Sequence, residues 1–104
     1  MNDQFIIEMF NSLKKRKNIS KSKSYTAYLI KNHELLGKKI GEEATELIID
    51  FIKKNKDGLI KESADLIYHL LVIWVSAGIE PKEVWEELSN RQLKSGFEEK
   101  NSRS

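Results

Sequence analysis

The chain has 104 residues, of which 39% are hydrophobic and 33% charged, with five glycines, one proline and no cysteine. That is one domain's worth of sequence with the composition of a helical globular protein. It excludes a multi-domain, disordered or collagenous chain, a disulfide framework, thiolate zinc sites and a cysteine nucleophile. The net charge of +2 hides a segregation: residues 14–23 hold six bases (Lys14, Lys15, Arg16, Lys17, Lys21, Lys23) and no acid, leaving twelve bases against sixteen acids elsewhere. The longest apolar run is Leu70 to Val75 and the N-terminus MNDQFIIEMF carries acids, so neither a membrane span nor a signal peptide is indicated. A cytoplasmic protein without membrane contact is expected.

Helical periodicity predicts five elements. The first runs from about Asp3 to Lys14, with Phe5, Ile6, Met9, Phe10 and Leu13 on one stripe. KKRKNISKSK follows, without apolar periodicity, and reads as a basic mobile loop compatible with an anionic ligand, nucleic acid or plain solvation. Ser24 is an N-cap for a short helix near Tyr25 to Lys31, which Asn32 and His33 end. A third helix spans about Glu34 to Lys54 despite Gly37 and Gly41, and Gly41 beside acids suits close approach of a ligand. Asp57 caps the fourth, which runs to about Ala77 with Gly78 as its stop. Pro81 opens a fifth, which uses Val84, Trp85, Leu88 and Leu93 and ends before Gly96. No strand alternation and no internal repeat appear. The fold class is therefore all-α, a four- to five-helix bundle in one domain over residues 1–104, with residues 95–104 as a tail.

Helices three and four carry acids where apolar residues would be expected. At 100° per residue, Glu46 and Asp50 fall within about 60° of Glu43, bordering the apolar arc of Ile40, Ala44, Leu47, Ile48 and Phe51. Glu42 points nearer to solvent. On helix four, Asp65 and His69 lie within about 60° of Glu62, and the rest of that helix is apolar nearly all round, which suggests a second subunit covering it. Carboxylates so placed are costly unless paired, protonated or held by a cation. Four hard oxygen donors without cysteine favour magnesium, or manganese, over zinc or copper, and the absence of Glu-x-x-His pairs disfavours iron. Against this stands the ordinary alternative of a solvated acidic face. His69 reads as a satisfied histidine of a helix interface, and Trp74 and Trp85 as core or interface aromatics.

Four segments, SYTAYL from Ser24, KKIGEEATE from Lys38, ESADLIYHLL from Glu62 and SGFEEKNSR from Ser95, make the chain resemble the phosphoribosyl-ATP pyrophosphatases of histidine biosynthesis, within the MazG-like all-α NTP pyrophosphatase group. EExxE followed by ExxD marks the wider group, and the two outer motifs narrow it. Tyr28, Phe97 and Asn101 depart from the family's commoner residues. The resemblance implies a bundle completed by dimerisation, a homodimer or larger homo-oligomer, that hydrolyses phosphoribosyl-ATP to phosphoribosyl-AMP and pyrophosphate by metal-assisted attack of water at the bond between the α and β phosphates. Glu43, Glu46, Glu62 and Asp65 would hold Mg2+ or Mn2+, with Glu43 or Glu46 activating water and Glu42 behind them or on a second metal. Ser24, Tyr25, Thr26, Lys38, Lys39, Lys100 and Arg103 would bind the substrate. The alternatives are a house-cleaning pyrophosphatase acting on free NTPs or dUTP, and a helical nucleic-acid or protein binding module. The last is disfavoured because the basic tract lacks interleaved aromatics and no helix is basic along one face.

Overall fold

A computed structural model describes residues 4–92, and every structural statement below concerns those residues. They form α1 (Gln4–Lys15), a 3-10 turn (Arg16–Asn18), α2 (Tyr25–Ile30), α3 (His33–Ile52), α4 (Lys56–Ala77) and α5 (Pro81–Gln92). No strand occurs among the described residues, and the chain is all-α as the sequence predicts.

Each helix start has a local chemical cause. The Ser24 hydroxyl accepts from Ala27 N–H at 3.2 Å and caps α2 as expected. Asn32, expected to close α2, instead caps α3 by accepting from Leu35 N–H at 3.2 Å, so His33 is the first residue of α3. Asp57 is likewise not the cap of α4: Asn55 accepts from Gly58 N–H at 3.1 Å, and Asp57 lies in the first turn, where its charge still complements the helix dipole. In both corrections a nearby asparagine wins, because its amide oxygen reaches the free N–H three residues on. Lys54 turns α3 into α4 at φ 60°, and Gly78 ends α4 in the left-handed region at φ 75°. Pro81 opens α5 while the Glu83 carboxylate accepts from Glu80 N–H at 2.8 Å.

The core joins Phe10 and Leu13 of α1, Leu29 and Ile30 of α2, Leu36 of α3, and Leu71, Val72, Trp74 and Val75 of α4. Of the α1 stripe, Ile6, Met9, Phe10 and Leu13 pack inward, whereas Phe5 faces out. Every α4 residue in that core lies in its C-terminal half. Its N-terminal half faces α3, the helix against which α4 packs most extensively. The turn at residues 53–55 makes the two an antiparallel hairpin. In the single chain α4 is not covered all round: Ile60, Ile67 and Leu70 are exposed, as are Ile48, Phe51 and Ile52 of α3 and Leu88 of α5. Leu88 is thus not a core residue of this chain. Lys14 and Lys15 belong to α1, and Arg16–Asn18 to the 3-10 turn, which shortens the irregular part of the basic tract. Among the described residues no single helix is long and apolar enough to cross a membrane.

Candidate active site

The two acidic pairs meet across the α3–α4 hairpin. Antiparallel packing brings a pair in the middle of α3 beside a pair in the first half of α4. One carboxylate oxygen from each of Glu43, Glu62 and Asp65 lies within 4.8 Å of the other two. Glu46 stands one helical turn from Glu43 and close enough to Glu62 for the two carboxyls to perturb each other, although it lies outside the set of three. Of the four acids expected from the sequence, the structure draws three into a common focus with the fourth beside them.

The electrostatics of the cluster are those of crowded like charges. The Glu46 carboxyl is held above its ordinary value first by the hydrogen bond it shares with Glu62, then by the charge of Glu62, with partial desolvation and the charges of Glu42 and Asp50 adding to this. Glu62 is raised as well, chiefly by a hydrogen bond shared with Glu43, then by desolvation, while its contact with Glu46 pulls the other way. Meanwhile Glu62 Oε2 is buried without a hydrogen-bond donor. A sequestered carboxylate oxygen without a donor, beside two more carboxylates, suits a hard divalent cation, which removes both the repulsion and the unmet acceptor at once. These residues fit magnesium or manganese. The fit is to an all-oxygen donor set, and His69 is not part of it.

His69 lies beneath the acids. Its side chain is buried, its Nδ1 is 2.9 Å from the Asp65 carbonyl oxygen, and the same Nδ1 is 3.9 Å from Glu43 Oε1. This matches the expectation of a satisfied interface histidine. Its neighbour Tyr68 was not singled out from the sequence, yet its hydroxyl lies 2.6 Å from that of Thr26. A phenol on an otherwise greasy helix was the signal that could have found it.

The remaining expected residues divide. Lys38, Gly41, Glu42, Thr45 and Glu46 line an open groove of about 520 Å³ along α3, so Lys38 and Glu42 reach the rim of the acidic cluster from one side. Gly41 leaves open space where a side chain would stand, in keeping with the expected close approach. Lys39 is half-buried one turn before Glu43. Tyr25 is exposed, and Ser24 spends its hydroxyl oxygen on the α2 cap. Thr26 is 2% exposed and turned inward onto Tyr68, a position that fits clasping α2 to α4 and gives a ligand no direct access. Lys100 and Arg103, with the rest of the 95–104 motif, lie outside the described residues.

A phosphoribosyl-ATP pyrophosphatase of Paramagnetospirillum magneticum is 43% identical over 98 residues, covering 93% of this chain and 90% of that protein. One of Azospirillum brasilense is 42% identical over 96 residues, covering 91% and 86%. One of Granulibacter bethesdensis is 40% identical over 102 residues, covering 97% of this chain and 64% of that longer protein. The family model described as phosphoribosyl-ATP pyrophosphohydrolase matches residues 7–92, a span that holds the whole hairpin and its four acids, and this chain belongs to that family.

Proposed function

We propose that this protein hydrolyses phosphoribosyl-ATP to phosphoribosyl-AMP and pyrophosphate, a step of histidine biosynthesis, in the cytoplasm. The observation that carries the reading is the convergence of Glu43, Glu62 and Asp65, with the buried Glu62 Oε2 left without a donor, inside a chain of this family. Glu43, Glu62 and Asp65 would hold Mg2+, or Mn2+, and Glu46 completes the donor set at the rim. When bound, such an ion supplies positive charge against the phosphate oxygens and makes water a stronger nucleophile.

The chain's own residues do the rest. Glu46, exposed in the groove and outside the tight set of three, would orient the attacking water and accept its proton. Water attacks phosphorus at the α–β anhydride; the bridging oxygen leaves with pyrophosphate. Lys38 lies in the groove beside Glu46 and would bind phosphate, with Lys39 one turn from Glu43, and Tyr25 on the exposed side of α2. Lys100 and Arg103 would add the cations that an acidic cluster lacks, and Glu42 would tune Glu46 from the groove.

The working unit is a homodimer or larger homo-oligomer. Its support is the stripe of Ile60, Ile67 and Leu70 on α4, continued by Leu88 of α5, which is apolar and uncovered in the single chain. The test is pyrophosphate release from phosphoribosyl-ATP by the purified protein with and without magnesium, beside ATP and dUTP. Magnesium-dependent release confined to phosphoribosyl-ATP is expected, and Glu62→Gln should lower it by at least about 100-fold while the protein stays helical. Release from free nucleotides alone would replace the substrate assignment with the house-cleaning one, and parental turnover by Glu62→Gln would remove the metal centre.

A further inference from the structure

We propose that His69 is a positioning residue of the metal centre: its Nδ1–H anchors the Asp65 turn of α4 while the positive edge of its ring sets the direction of the Glu43 carboxylate, so that the two acids meet the cation in register. The inference rests on the metal-centre reading above and adds to it a group that ligates nothing.

Four observations carry it. A carbonyl oxygen has no hydrogen to give, so the 2.9 Å contact with Asp65 O requires the hydrogen to sit on Nδ1. The same nitrogen, its hydrogen held by the Asp65 carbonyl, lies 3.9 Å from Glu43 Oε1 of α3, too far for a hydrogen bond but close enough for the positive edge of the imidazole to attract the carboxylate. The imidazole is itself fixed: it is 7% exposed, and the Tyr68 ring meets it edge-on with centroids 5.0 Å apart. Tyr68 in turn is tied through its hydroxyl to Thr26. Finally, Glu43 is pressed against like charges, and among the described residues His69 is the one basic side chain recorded within 4.0 Å of it. An oriented donor behind a ligating carboxylate is the general means by which proteins fix such ligands.

The test is Mn2+ binding to the full chain, followed by the loss of the free-ion electron paramagnetic resonance signal, in His69→Asn, His69→Gln and His69→Leu, with circular dichroism as the check on folding. Asparagine carries an N–H near the Nδ1 position, glutamine carries it one bond further out, and leucine keeps bulk without a donor. Expected is a Kd raised about 10- to 100-fold in His69→Leu, with His69→Asn within about threefold of the parent and His69→Gln between the two. Parental affinity in His69→Leu overturns the proposal, as does His69→Asn binding as weakly as His69→Leu, which would mean that ring bulk alone matters. If His69→Leu does not fold, equal affinities in the asparagine and glutamine proteins overturn it. Failure of the parent itself to bind Mn2+ removes the metal centre and the proposal together, whereas a parent that binds alongside unaffected variants removes only the role of His69.

Discussion

Thr26→Val separates a clasp from a ligand contact. The two side chains are nearly equal in volume, so the substitution deletes one hydroxyl and leaves the packing. Thr26 is 2% exposed and its hydroxyl lies 2.6 Å from that of Tyr68, which is partly buried, so valine strands the phenol in a site that water reaches poorly. Leaving a buried hydroxyl unmet costs about 1 to 3 kcal/mol, and partial access at Tyr68 puts the expectation near the lower half of that range, about 1 to 2 kcal/mol. For a domain of this size that lowers Tm by roughly 4 to 16 °C. Tyr68→Phe should cost a similar amount. The double variant should cost clearly less than the sum, because replacing both hydroxyls leaves no orphan. Thermal or urea unfolding at one fixed protein concentration, without ligand, measures all three. Additive losses, or a Thr26→Val protein as stable as the parent whose only defect is a raised KM, would refute the clasp and return Thr26 to the substrate.

Further outcomes follow from the acids and the bare apolar stripe. Without metal, Glu46 and Glu62 bind protons more tightly folded than unfolded, where their ordinary value is 4.5. The folded state therefore holds more protons above that value, and stability should fall as pH rises from about 4.5 through their raised folded values, a decline that saturating magnesium should abolish. A metal-free Tm that rises across that window would contradict the crowded-carboxylate account. Ile67→Lys puts a charge in the middle of the uncovered α4 stripe, where Ile67 is 44% exposed in the single chain. Sedimentation should show dissociation of the oligomer with secondary structure retained, and an unchanged mass would place the subunit contact elsewhere.

The helices were legible because their signals are short in range. A serine before YTAY, a proline after a glycine stop and the apolar stripe of α1 each act within a turn or two, and each sits where the sequence puts it apart from Phe5, which faces out. The caps of α3 and α4 were misread where two polar residues competed within a few positions, a contest decided by backbone angles that no residue type fixes alone. Spacing also placed Glu43, Glu46, Glu62 and Asp65 on facing flanks. It could not reveal that Glu46 stands aside from the other three, since that depends on how α3 and α4 cross. Thr26 shows a related limit: its motif implied contact with substrate, but that its hydroxyl turns toward α4 depends on Tyr68, forty-two residues away. The near-total apolar character of α4 was read correctly as sequence. The described residues of one chain leave Ile60, Ile67 and Leu70 of that helix exposed.

The acids that converge come from a single hairpin, and Glu43 and Glu62 are only nineteen residues apart in the chain. A cation gripping both helices closes a short loop across the Lys54 turn, and closing a short loop sacrifices little chain entropy. Such an ion would act on the folding of the hairpin as a removable cross-link, most valuable where the core is absent, since the core residues of α4 all lie beyond His69. Chelation should loosen the residue 53–55 end of the hairpin first, seen as faster amide exchange there than in the segment from Leu71 to Val75.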